Sequence, residues 1–296
     1  MQEKQLDGVW DYKLTDEKAY IVGYKGLDAR VEIPAQIEGY PVIGIGKKAF
    51  LSRKNLREII LPDTVEEVGD WAFAYCNGLA GVTFLGGNVR FGKDIFKECG
   101  RLERIRFRAA SAGGEEGIGA LMAAAVQMMD AYYLLDLAEA GSREWLAKWD
   151  ARLLTILRTS NQEGYSRQVL CGEEDYGSTD LEAFMSSKRK MKVRLALLRL
   201  LHPQSLLPGL QRELEDFLRS LTKGGKGEET WLVVKDEYGD RREYYKLFTD
   251  LNCIHEGNYE EILADIGEEH PEMKAFFLRL REENRTSEDF FAALEL

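Results

Sequence analysis

Apolar residues recur through the first third of the chain at a fixed step of 23 residues, longer than any single helix turn or strand period. Ile45-Gly46, Val68-Gly69 and Phe91-Gly92 line up, followed at constant distance by Phe50, Phe73 and Phe96, then by Leu56, Leu79 and Leu102. The pairs Ile59/Leu61, Val82/Phe84 and Ile105/Phe107 keep the same step. A repeat of this length predicts a solenoid, in which each unit buries its apolar side only against its neighbours. Alternation then assigns the faces. In the strand around Arg57–Leu61, Ile59 and Leu61 point inward while Glu58 and Ile60 point out. The outward columns are Glu58, Gly81, Arg104 and Ile60, Thr83, Arg106, a small face of mixed character.

Before the repeats, Val9–Leu14 and Ala19–Tyr24 read as strands around Thr15-Asp16-Glu17-Lys18, a hairpin placed to cover the open end of the stack. Within the repeats, Trp71 and Tyr75 flank the buried Phe73 in columns otherwise held by Lys48 and Asp94, and by Ser52 and Glu98. Polar neighbours turn both rings outward, and on a helical segment their spacing of four would put them on one face. Docking against the rest of the chain, a partner's hot spot and scattered exposure all remain open; docking is the expectation carried forward.

After Phe107 the pattern changes. Residues 109–119 are small, Gly-rich and polar, and read as a linker. From Ala120 the period is helical. Helices are expected over about 120–138 and through Trp145, Trp149, Leu153 and Leu157. A third runs from the capping cluster Ser178-Thr179-Asp180 to Leu201, ahead of Pro203, and a fourth over Leu206–Leu221. Shorter ones are expected near Arg241–Leu251, Tyr259–Ile266, Pro271–Arg281 and Ser287–Leu294. The first of these helices, or its successor, is placed to cover Ile105 and Phe107 at the last repeat.

The run Leu56-Arg-Glu-Ile-Ile-Leu-Pro-Asp-Thr-Val-Glu-Glu-Val-Gly-Asp-Trp-Ala-Phe-Ala-Tyr-Cys76 resembles the BspA-type leucine-rich repeat, as does Val31-Glu-Ile-Pro34 with Ile37–Val42 and Ile45-Gly46. The resemblance covers about residues 29–107. It implies a short parallel β solenoid and a role in binding proteins or surfaces, often on a bacterial exterior. Members usually carry many repeats, whereas about three are recognised here. The segments 237–248 and 268–278 are faintly ankyrin-like; no function is carried over from that.

Composition narrows the classes. The chain is 45% hydrophobic and 31% charged, ordinary for a soluble fold and against global disorder. Net charge is −11. Residues 1–107 carry as many acidic as basic side chains, so the whole excess lies beyond them. That argues against a nucleic-acid partner, which needs basic surface. The longest apolar stretch, Ile118–Met129, is too short to span a bilayer. No signal-peptide core follows Met1, so the default is cytoplasmic, or exported if the sequence was trimmed. Cys76 and Cys99 hold equivalent repeat positions and read as reduced core thiols.

Cys253, His255 and His270, with Asp265 or Glu268, are the zinc-type ligands nearest one another, at no standard spacing. Glu173-Glu174-Asp175 lacks the spacing of a calcium loop. Thr222–Gly227 resembles a Walker turn without its glycine spacing and reads as a turn after a helix. Lys188–Arg194 is a basic run that nearby acids can neutralise. No catalytic, cofactor or metal residue is assigned.

The resulting expectation is an α+β protein. A hairpin-capped leucine-rich solenoid occupies 1–108, a linker 109–119 and an α-helical domain 120–296. Non-catalytic protein–protein interaction with a protein partner of unknown identity is the function expected, with no cofactor. An enzyme with its site in the helical domain and an exported adhesion protein are the alternatives. The candidate surface is Trp71, Tyr75, Glu58, Ile60, Thr83, Arg104 and Arg106.

Overall fold

The computed structural model describes residues 3–6, 9–86, 89–107, 115–128, 131–135, 139–165 and 180–294. It is α+β, with a β solenoid first and helices after. The chain divides into two compact units, Met1–Arg152 and Leu153–Leu296.

The first unit is built on parallel ladders. Strands β4 (Arg30–Glu32), β7 (Glu58–Leu61), β9 (Gly81–Phe84) and β11 (Arg104–Phe107) form a four-stranded sheet in that order. Register follows the repeat: Ile59 pairs with Val82 and Val82 with Ile105. A second sheet holds β6 (Tyr40–Ile45), β8 (Glu67–Val68) and β10 (Arg90–Phe91), paired in parallel. The stack therefore has four strands where the 23-residue step reveals about three. Val31 pairs with Ile59 at an offset of 28, because a hairpin of β5 (Gln36–Ile37) and β6 interrupts the first turn. Glu38 and Gly39 both take positive φ at its tip, as a two-residue hairpin turn requires.

The expected N-terminal hairpin is present as β2 (Trp10–Thr15) and β3 (Lys18–Tyr24). Asp16 and Glu17 supply its positive-φ turn. A strand the sequence did not suggest, β1 (Glu3–Leu6), pairs with β2. β3 joins β6 in parallel, so the hairpin continues the second sheet as its cap.

Inside the stack the aromatic columns pile up. Tyr24, Phe50, Phe73 and Phe96 stack with centroid separations of 5.6, 5.2 and 5.6 Å, and each is buried. Stacked rings gain about 0.5–1.5 kcal/mol per pair beyond their buried area. Cys76 and Cys99 are free and buried, and each Sγ donates to the carbonyl of a Phe in the preceding turn, Phe50 and Phe73, at 3.1 Å.

The far end of the stack is covered by α1 (Glu115–Gln127), which packs on β11 and leaves Ile105 buried. Gly119 lies against the strand so closely that a Cβ there would overlap the Ile105 carbonyl oxygen. The helix starts inside the stretch read as linker and stops earlier than expected. A 3-10 turn, Tyr132–Leu135, follows it. From α2 (Arg143–Arg158), buried Trp145 and Trp149 donate their indole N–H groups to Leu134 O (3.0 Å) and Leu121 O (2.9 Å).

The second unit holds α3 (Leu181–Leu201), α4 (Pro208–Ser220), α5 (Glu229–Tyr238), α6 (Arg242–Asp250), α7 (Tyr259–Ile266) and α8 (Pro271–Leu294). Asp180 caps α3 by accepting from Glu182 N. Buried Arg199, in the last turn of α3, donates to the carbonyls of His202 and Gln204 just past its end. α8 is continuous where two helices were expected, and α5 was not foreseen. Among the described residues no helix is long and apolar enough to cross a membrane.

Candidate interaction surface

Parallel register turns the outward residues of the four-stranded sheet into straight columns. Arg30, Glu58, Gly81 and Arg104 form one; Glu32, Ile60, Thr83 and Arg106 form the other. Gly81 leaves a gap in the first column, and Arg104 leans across it to Glu58 at 3.5 Å. Arg30 approaches the same carboxylate at 3.8 Å from the other side. Glu58 is thus held between two guanidinium groups, and exposed pairs of this kind contribute little stability each, about 0.2–1 kcal/mol. Around the gap lies a shallow depression of about 50 Å³. Arg30 and Glu32 belong to this face and were missed, because the hairpin insertion breaks the repeat spacing that would have found them.

Trp71 and Tyr75 occupy a different side, the turns between β8 and β9. The segment is not helical. Alternate N–H groups are taken by the next turn of the stack: Trp71 donates to Lys93 O (3.0 Å), Phe73 to Ile95 O (2.9 Å) and Tyr75 to Lys97 O (2.7 Å). The preceding turn does the same through Lys48, Phe50 and Ser52. Lys48, Trp71, Asp94 and Ser52, Tyr75, Glu98 all take positive φ, between 52° and 61°. Both rings still face outward, as the polar columns imply. Trp71 is half-buried and Tyr75 is 37% exposed, with centroids 6.3 Å apart. Lys48 Nζ lies 5.8 Å and Lys97 Nζ 5.2 Å from the Trp71 ring centroid. Two ammonium groups on one indole make it an electropositive aromatic patch. Sequence reading found the rings but not Lys97, which sits in a column otherwise filled by Leu51 and Ala74.

The other candidates lie in the second unit and resolve into internal pairing. In the basic run, Arg189 pairs with Glu182 and with Glu229 (2.6 Å). Arg194 grips Glu237 through two bonds of 2.5 and 2.6 Å. Buried Lys192 donates to Leu157 O and Thr159 O, and burial lowers its pKa. The zinc-type residues have separate surroundings. Cys253 is buried with its thiol pushed up to about 12 by desolvation, His255 Nδ1 accepts from Gly257 N, and His270 faces Asp240 at 3.5 Å. Among the described residues no group of three or more His, Cys, Asp or Glu side chains is placed to hold a metal. Thr222–Gly227 is a turn after α4, with Gly224 at positive φ. Glu173–Asp175 lies outside the described residues.

Residues 33–113 match the family described as the BspA type leucine rich repeat region (6 copies). Among solved structures, the leucine rich repeat protein of T. pallidum is 30% identical over 36% of this chain and 50% of its own, with a TM-score of 0.33. A leucine rich cell surface protein of Faecalibacterium prausnitzii A2-165 is 32% identical over 35% of this chain and 29% of its own, with a TM-score of 0.32. A leucine-rich repeat protein of Bacteroides capillosus ATCC 29799 is 29% identical over 36% of this chain and 83% of its own, with a TM-score of 0.34. The chain spans half the length of the first of these. No curated protein matches it. The repeat match points to an interaction or surface repeat protein.

Proposed function

With a BspA-type leucine-rich repeat region as the premise, we propose that this chain is a non-catalytic protein–protein interaction protein whose contact surface includes the Trp71–Tyr75 turn. The observation that carries the reading is that aromatic pair. Half-buried Trp71 and exposed Tyr75 sit on a turn held by three inter-turn hydrogen bonds, with two lysines beside the indole. Tryptophan and tyrosine dominate interface energetics, because a large rigid ring buries much area at little conformational cost. The sheet face of Glu58, Ile60, Thr83, Arg104 and Arg106 would serve as a polar rim. Glu58 is already paired with Arg104, and the remaining positive charge of Arg106 would steer an encounter rather than anchor it.

Affinity capture with the parent and with Trp71→Ala/Tyr75→Ala tests the reading. The double variant should keep its fold and lose captured partner by at least about thirty-fold, the effect of removing roughly 2 kcal/mol. Arg104→Ala should cost less than about five-fold. Equal capture by parent and double variant would reject the aromatic surface.

A further inference from the structure

We propose that the N-terminal end of the stack carries a pocket for the C-terminal residue of a peptide, taking an apolar side chain on its floor and the free carboxylate on Arg53 and Lys54. The site is separate from the Trp71–Tyr75 turn and does not depend on that reading.

A cavity of about 240 Å³ opens beneath the loop that leaves β3. Its floor is apolar and buried: Tyr24, Phe50 and Leu56. Trp10 stands behind Tyr24 at a centroid distance of 4.7 Å and stiffens it. Gly26 lets the loop fold over, since a Cβ there would overlap the Tyr24 hydroxyl. Leu27 hangs at the mouth, 78% exposed, the most exposed of the large apolar side chains among the described residues.

The repeat itself marks the site as unusual. Arg53 falls in the column that Cys76 and Cys99 fill farther along, where the thiol is buried and bonded to a carbonyl of the previous turn. In the first turn a guanidinium stands there instead, 6.0 Å from the Tyr24 ring centroid. Neither Arg53 nor Lys54 forms an ion pair among the described residues, whereas the Arg189, Arg194 and Lys223 heads are each matched to carboxylates. The one carboxylate on the lining, Asp28, accepts a hydrogen bond from the Tyr24 hydroxyl, which keeps its proton. The lining therefore carries two cations and one anion, a net positive charge beside an apolar floor.

Size and charge select the occupant. Drug-sized ligands need roughly 300–1,000 Å³, so this cavity suits one side chain rather than a cofactor. An apolar residue ending in a carboxylate satisfies floor and rim together, and the guanidinium fork matches a carboxylate in two parallel bonds.

The probes are N-acetyl-Gly-Phe as the free acid and as its C-terminal amide, titrated into the full chain and followed through the methyl resonances of Leu27 and Leu56. The acid should bind saturably and the amide at least about ten-fold more weakly, the loss expected for a charge-assisted bond. Arg53→Met, which keeps the aliphatic stem, should weaken the acid by a similar factor and leave the amide unchanged. If that variant does not fold, Lys54→Gln at an exposed position and the acid–amide comparison decide. Trp71→Ala should bind the acid as the parent does, which separates failure of this site from failure of the aromatic surface. Equal binding of acid and amide, or no saturation by about 10 mM acid, overturns the proposal.

Discussion

Lys48, Ser52, Trp71, Tyr75, Asp94 and Glu98 hold a left-handed backbone although none is glycine. An L-residue there costs about 1–2 kcal/mol, whereas glycine costs only its extra chain entropy, about 0.5–1 kcal/mol. Glu98→Gly should therefore be neutral or stabilising by up to about 1 kcal/mol in urea unfolding; a loss above about 1 kcal/mol would contradict the strain. Sequence reading identified these positions as outward columns, but their side chains gave no sign of the backbone state, which recurs in all three turns. Trp71 meets Lys48, Lys97 and Tyr75 and is only half-buried. Trp71→Ala should cost about 1 kcal/mol, below the roughly 3–5 kcal/mol for truncating a fully buried aromatic. The thiols behave oppositely. Burial pushes Cys76 up to about 11 and Cys99 up to about 12, so both stay protonated and unreactive at pH 8. Peptide mapping after N-ethylmaleimide should find them unlabelled in the folded protein and labelled in urea. Because each folded pKa is raised, the folded state holds protons that the unfolded chain releases near pH 9. Their contribution to stability is complete below that pH and fades as the pH climbs through about 11 to 12.

Among the elements, the strands of the repeat, the hairpin cap and most helices were legible because each keeps its own period: two in strands, 3.6 in helices, 23 in the stack. The failures have physical causes. The segment of β4 was recognised through Val31–Pro34, but its outward residues Arg30 and Glu32 were not, because the hairpin lengthens the first turn and shifts them off the 23-residue step. Helix α5 buries Thr230, Trp231, Val233 and Val234 nearly in succession and gathers Lys235, Asp236 and Glu237 at its end, so its short sequence shows no clear helical alternation. At the end of the stack, α1 does what the open edge of β11 requires, covering Ile105, and Trp149 ties it down through Leu121 O. Gly119 sets the approach. Gly119→Ala should push the helix off the strand and destabilise the first unit by about 2 kcal/mol or more, within the range for overpacking. Chemical denaturation followed by tryptophan fluorescence reads it. A fragment of residues 1–108, lacking this helix, should melt well below a fragment of 1–152.

At the scale of the whole molecule, a charged network centred on Asp265 gives the second unit a pH dependence of its own. Buried Trp231 donates its indole N–H to Asp265 at 2.6 Å, and Lys223 and Lys235 approach the same carboxylate at 3.8 and 3.4 Å. The indole bond and the two lysines hold Asp265 below the ordinary carboxylate range, against the opposing effect of burial. Burial alone would lower Lys223, yet its bond to Glu261 and the nearby Glu228 and Asp265 leave it raised. Lys235 is likewise raised, since Asp236 and Asp265 outweigh its burial. The signs follow from linkage. A depressed carboxylate contributes stability that is present above about pH 4 and lost as the pH falls through the folded value. The raised lysines contribute below about pH 10 and lose it above. Between those limits Asp265 and the two lysines keep their charges, and acid removes the Asp265 contribution as its carboxylate is protonated. The second unit should therefore melt at a lower temperature at pH 3 than at pH 6. Asp265→Asn should narrow that gap, since an amide still accepts the Trp231 bond but no longer titrates. Calorimetry of the full chain at the two pH values measures it, and an unchanged gap in the variant would show that other carboxylates set the acid limit.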